Sequence, residues 1–169
     1  IPLRPIPTNV IKEQLMLLGT EEPRADLIAR LSSGRIGWAL STLENDDELQ
    51  FRSDMLDILR DILAANRVGR MKQSEQMSRK IGRDKAQLQY VLEIWQTYWR
   101  DVLLESYGNP VKPCNSDRKD EIVRLVGQIT PEQAYDAMSA TRKAFQALST
   151  NANVQLVLDV LFLAYPGLK

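Results

Sequence analysis

The side chains able to do chemistry in this chain are mostly carboxylates and amines. Asp46 and Asp47 adjoin in the acidic run at residues 44–48, and Asp117 and Asp120 stand three positions apart. Either pair could ligate a cation or move a proton. Acidic residues also gather at helix starts, where negative charge meets the helix dipole favourably, and both pairs read as solvated helix starts. No histidine occurs and Cys114 is the one cysteine. That composition removes the usual ligands of a structural zinc and the usual general base of a serine or cysteine triad. Neither a GxxxxGK[ST] loop nor a GxGxxG turn is present, so nothing cradles a phosphate. The chain reads as a non-enzyme, with no catalytic residue, no metal and no cofactor.

Amines concentrate between Arg67 and Lys85. Arg67, Arg70, Lys72, Arg79, Lys80, Arg83 and Lys85 face only Glu75 and Asp84. Such a run could steer DNA or an acidic partner. Without interleaved aromatic residues or a recognition helix it reads as a solvated basic surface. The whole chain carries 22 basic and 22 acidic residues, so no net charge draws it to nucleic acid or to an anionic membrane.

The elements that would position these groups are helical. The chain of 169 residues is 44% hydrophobic and 26% charged, an ordinary globular balance. No apolar run reaches the length of a membrane span or a signal-peptide core, and a lone cysteine suits a reducing compartment, so the reading is cytoplasmic. Ile1 in place of methionine, followed by Pro2, Pro5 and Pro7, reads as the extended continuation of a longer chain.

The densest stripe lies between Asp84 and Gly108. Leu88, Val91, Leu92, Trp95, Trp99, Val102 and Leu103 follow helical spacing. Asp84 with Gln87 supplies a start, and Gly108 before Asn109-Pro110 a stop. Two tryptophans one turn apart read as core packing rather than as a ligand platform.

Upstream, three short helices are predicted. The first is capped by Thr8 with Val10, Ile11, Leu15 and Leu18 inward, the second carries Leu27, Ile28 and Leu31 after Pro23, and the third carries Ile36, Ala39, Leu40 and Leu43. A boundary is placed in the acidic run. Phe51, Met55, Ile58, Leu59 and Ile62 then mark a long helix to about Ala65, and residues 73–82 a shorter one with Met77 and Ile81 inward.

Beyond the NPVKP loop comes a helix with Ile122, Val123, Leu125 and Val126. Next, Thr130-Pro131-Glu132-Gln133 spells a cap, a proline at the first helical position and a capping-box glutamine. The helix it starts turns Ala134, Ala137, Met138, Thr141, Ala144, Phe145 and Leu148 inward. The last helix runs from about Asn153 to Ala164 and has two apolar faces. Val154, Val157, Leu158 and Leu161 make one, and Leu156, Val160 and Leu163 make the other, with Gln155 and Asp159 between them. The second face is the expected subunit interface. The fold class is all-α.

Four segments, in order, resemble the bacterial clamp-loader subunits of the AAA+ family. LIARLSSGRIGWAL, residues 27–40, resembles the lid stretch that carries the sensor-2 position, and IPLRPIPTNVIKEQL looks like the passage from ATPase core into lid. WQTYWRDVLLESYG resembles the W…RD helix of the delta-prime collar, and ALSTNANVQLVLDVLFLAYP its C-terminal signature. The resemblance implies the end of an ATPase core and a small three-helix lid over residues 1–45, followed by a helical-bundle collar for oligomerisation over 46–169. A zinc-bearing core with the arginine finger would precede Ile1.

Where nucleotide-binding subunits of that family place the sensor-2 arginine, this sequence has Gly37, with Gly34 on the motif glycine and Arg35 on its serine. The implied role is therefore a non-catalytic subunit of the DNA polymerase III holoenzyme in DNA replication. Its partners would be the delta and gamma/tau subunits of the ring that loads the sliding clamp, with DNA reached only through that assembly and no membrane contact. The competing class is an unrelated all-α interaction domain, such as the effector-binding half of a regulator.

Overall fold

The computed structural model describes residues 5–150 and 152–168. Every regular element among them is helical: α1 (Thr8–Leu17), α2 (Glu22–Leu31), α3 (Ile36–Glu44), α4 (Asp47–Ala64), α5 (Arg67–Ile81), α6 (Lys85–Ser106), α7 (Lys119–Val126), α8 (Pro131–Leu148) and α9 (Val154–Ala164). A single 3₁₀ turn, Ser116–Arg118, precedes α7. The all-α expectation holds. Of the expected extended stretch at residues 1–7, Pro5, Ile6 and Pro7 carry no regular structure and the first four lie outside the described residues. No described helix is long and apolar enough to cross a membrane.

Two compact units divide the chain: Ile1–Phe51 with Lys112–Lys119, and Arg52–Val111 with Asp120–Lys169. In the first unit, α1, α2 and α3 pack together around Ile11, Leu15, Ala25, Ile28, Ala29 and Ala39, with Ile36, Trp38 and Leu43 against them. Gly34 links α2 to α3 at φ +85°, and a Cβ there would meet Pro5 Cβ at 2.5 Å. Only glycine lets Ile6 N–H reach the Gly34 carbonyl at 3.1 Å.

Several sequence expectations for this unit are corrected. Pro7, not Thr8, is the N-cap of α1, its carbonyl taking the amides of Val10 and Ile11. Val10, Leu18 and Leu40 point outward, because small residues (Ala25, Ala29, Ala39) let three short helices close on one another without them.

Lys12 pairs with Glu22 at 2.7 Å, and Arg30 with Asp26 at 2.8 Å one helical turn back. The hydrogen bond from Arg30 holds the Asp26 carboxyl below its ordinary value of 3.8. A depressed folded pKa contributes stability above the unfolded value and loses it as pH falls through the folded one. Asp26→Asn is therefore expected to cost about 0.5–1 kcal/mol at neutral pH and nothing in strong acid. Urea titrations of both chains between neutrality and acid check this: a difference that persists unchanged in acid would assign the effect to packing.

In the second unit α6 is the axis. Its first turn is capped by Asp84 Oδ1, which accepts from Gln87 N at 3.0 Å, and its end turns at Gly108 with φ +61°. Leu88, Val91, Leu92, Trp95, Trp99 and Val102 are buried along the predicted stripe. A second buried row, Ile94, Tyr98 and Asp101, widens it, and Tyr98 Oη donates to Glu121 of α7 at 3.0 Å. The helix is covered on more than one side, chiefly by α8 and also by α5.

In α4 the buried positions are Arg52, Leu56, Leu59, Ile62 and Leu63, so Met55 and Ile58 sit at the margin. In α7 Val123 is exposed. The capping box at α8 forms in both directions, Gln133 N donating to Thr130 Oγ1 at 3.3 Å and Thr130 N to Gln133 Oε1 at 2.9 Å.

Helix α5 begins six residues earlier than its sequence suggests, at Arg67, with Asn66 Oδ1 accepting from Gly69 N at 2.9 Å. Its inward positions are Arg70, Ser74 and Met77. Helical spacing is present there, but two of the three residues are polar, which hides the stripe from a hydrophobicity reading.

Candidate functional site

Asn153 starts α9 by accepting from Leu156 N at 3.1 Å. From this cap the two apolar faces run in parallel. Leu158, Leu161 and Phe162 are buried, whereas Leu156, Val160 and Leu163 are 61%, 62% and 45% exposed. Of the two apolar faces only the first is packed. The strip between, Gln155 and Asp159, turns to α5: Asp159 Oδ1 accepts from Ser74 Oγ and from Gln155 Nε2, the latter at 2.8 Å. This polar seam fixes the rotation of α9, and the rotation leaves the apolar face outward.

Beside that face, α8 and α9 enclose an open groove of about 630 Å³. Ala140, Ala144 and Ala147 of α8 with Val157 and Leu161 of α9 form its floor, Leu156 and Val160 one edge, and Asp136 and Lys143 the other. The surface is apolar with a charged rim. It suits contact with another helix rather than turnover of a small substrate.

The far end of α9 is anchored by Arg70. Its guanidinium donates to the carbonyls of Ile62 at 3.0 Å, Ala65 at 3.2 Å and Leu63 at 3.2 Å, at the end of α4. It also donates to Phe162 at 3.0 Å, to Tyr165, and to Pro166 at 2.6 Å, at the end of α9. Terminal carbonyls lack intrahelical partners, and a cation suits the negative end of the dipole. One planar fork therefore closes two helix ends, and burial lowers the guanidinium's proton affinity. Tyr165 packs edge-on to Trp95 and meets Thr141 Oγ1 at 2.8 Å. Since the Thr141 proton goes to the Ala137 carbonyl, Tyr165 is the donor, and burial raises its pKa.

The expected basic surface is accordingly smaller than its sequence implies. Arg70 faces inward and Arg79 pairs with Glu75. Lys85 Nζ donates to the Thr150 carbonyl at 3.2 Å. Of the acidic pairs, Asp46 binds Arg24 and Asp47 takes its place in the first turn of α4. Among the described residues no group of three or more Cys, Asp or Glu side chains is placed to hold a metal ion. Gly37 lies exposed in the first turn of α3, with nothing within 4 Å of where a Cβ would stand. Arg35 Nε donates to the Ser32 carbonyl at 3.1 Å. The structure thus gathers Leu156, Val160 and Leu163 on one face, and places Gly37 in the other unit.

What the sequence reading missed here is Arg70, counted among surface charges. Asn66 as a cap and the i, i+4, i+7 spacing of Arg70, Ser74 and Met77 were the available signal.

No protein family, characterised protein or solved structure matches the chain.

Proposed function

We propose that the chain is the lid and collar part of a bacterial clamp-loader subunit of the delta-prime type, acting in DNA replication in the cytoplasm. It contributes no catalysis. Residues 8–44 form the lid, and the bundle that follows is the collar, whose work is to hold neighbouring delta and gamma/tau subunits in the ring. DNA is reached only through that assembly. The ordered set of four resembling segments supports this reading, and so does Gly37 at the position where nucleotide-binding subunits carry arginine. The observation that carries it furthest is the outward face of α9, Leu156, Val160 and Leu163, a row of large apolar residues that the described residues leave uncovered.

The test mixes the chain with delta and gamma/tau subunits and follows co-elution by size-exclusion chromatography. Val160→Asp is expected to abolish co-elution while leaving the helical circular dichroism of the free chain unchanged, because Val160 is 62% exposed within the chain. Absence of co-elution by the unaltered chain removes the reading. Co-elution undisturbed by Val160→Asp moves the contact to another face.

A further inference from the structure

Asp136 and Lys143 form one rim of the α8–α9 groove, and both are exposed. Among the described residues, neither side chain makes a hydrogen bond or an ion pair. Seven residues apart on one helix, they stand about 10.5 Å apart along the axis and nearly on one line. Their midpoint falls between Ser139 and Ala140, whose small side chains also line the groove. The pattern acid, small, small, base is its own complement when reversed.

We propose that this groove is a self-association surface, and that its occupant is a second copy of the chain docked antiparallel about a two-fold axis beside Ser139 and Ala140. In that arrangement Asp136 meets Lys143 of the second copy, and the contact occurs twice, as two-fold symmetry requires. Ser139 and Ala140 let the two α8 helices approach closely, and the neighbouring Leu156 and Val160 are withdrawn from water. A parallel copy would set Asp136 against Asp136 and Lys143 against Lys143, so the charges select the antiparallel sense. An unrelated partner would have to match the spacing, whereas a second copy carries it by construction. The pairing belongs to the free chain and does not rest on the ring reading. It uses an overlapping face, so self-association and ring assembly exclude each other.

Sedimentation equilibrium of the whole chain tests the idea without any ring subunit. The unaltered chain should be a dimer in the micromolar range. Asp136→Lys and Lys143→Glu, each retaining its helical circular dichroism, should each weaken the dimer by at least about tenfold by setting like charges face to face twice. Mixed one to one, the two variants should associate as the parent does. The lysine introduced at position 136 of one then meets the glutamate introduced at position 143 of the other, and the native Lys143 meets the native Asp136. The chain carrying both substitutions should also dimerise. Recovery on mixing cannot come from a misfolded variant. A parent chain monomeric at about 1 mM leaves the groove to a different protein and overturns the proposal. So does a dimer indifferent to both single substitutions, or two weakened variants that fail to associate when mixed.

Discussion

Arg70→Met is expected to destabilise the chain by about 3–5 kcal/mol, the scale of removing one partner from a buried charged network. Methionine fills the same channel, but the carbonyls of Ile62, Leu63, Ala65, Phe162, Tyr165 and Pro166 stay where they are. Backbone acceptors cannot be mutated away, so an apolar substitute leaves them facing it unsatisfied. Arg70→Lys should recover only part of the loss: it keeps the charge but has three donors at one point instead of a fork. Urea unfolding followed by circular dichroism separates the two. Equal stability of the lysine variant and the parent would show that charge alone closes the helix ends.

Trp95→Ala should cost a similar amount, about 3–5 kcal/mol. The ring is wholly buried, lies 5.8 Å from Phe162 and 6.2 Å from Tyr165 between ring centres, and its N–H donates to the Met55 carbonyl at 2.8 Å. It therefore binds α6 to both α4 and the end of α9. Trp95→Phe keeps an aromatic ring and gives up the hydrogen bond and part of the volume, for about 1–2 kcal/mol. Melting temperatures rank the three chains. An alanine variant that melts with the parent would mean that the cavity is filled by collapse of its neighbours.

Where an element announces itself locally, sequence and structure agree closely. Thr130, Pro131 and Gln133 mark the start of α8 to the residue, because a capping box is made within four positions. The stripe of α6 is legible because its inward residues are large and apolar. The start of α5 is not, because Arg70 and Ser74 take inward positions where a leucine would ordinarily stand. Nothing near Arg70 in sequence tells that its acceptors lie at the ends of two other helices. The extra buried row of α6 was hidden for a related reason: Tyr98 carries a hydroxyl and Asp101 a carboxylate, yet both are buried. The outward face of α9 was visible as an excess of apolar residues. Which of its two faces would be free was settled by the Ser74–Asp159 contact, a tertiary fact.

The reach of Arg70 along the chain also bears on time. Its bonds to Phe162, Tyr165 and Pro166 span 92, 95 and 96 residues, a loop that contains α6, α7 and α8. Closing so long a loop unaided is entropically costly, so the clasp forms after those helices have packed and already shortened the distance. Interactions made late stabilise the native state more than the folding transition state, and their strength appears in how slowly the molecule opens. The guanidinium is therefore a brake on unfolding: in stopped-flow experiments Arg70→Met should speed the unfolding arm far more than it slows the refolding arm.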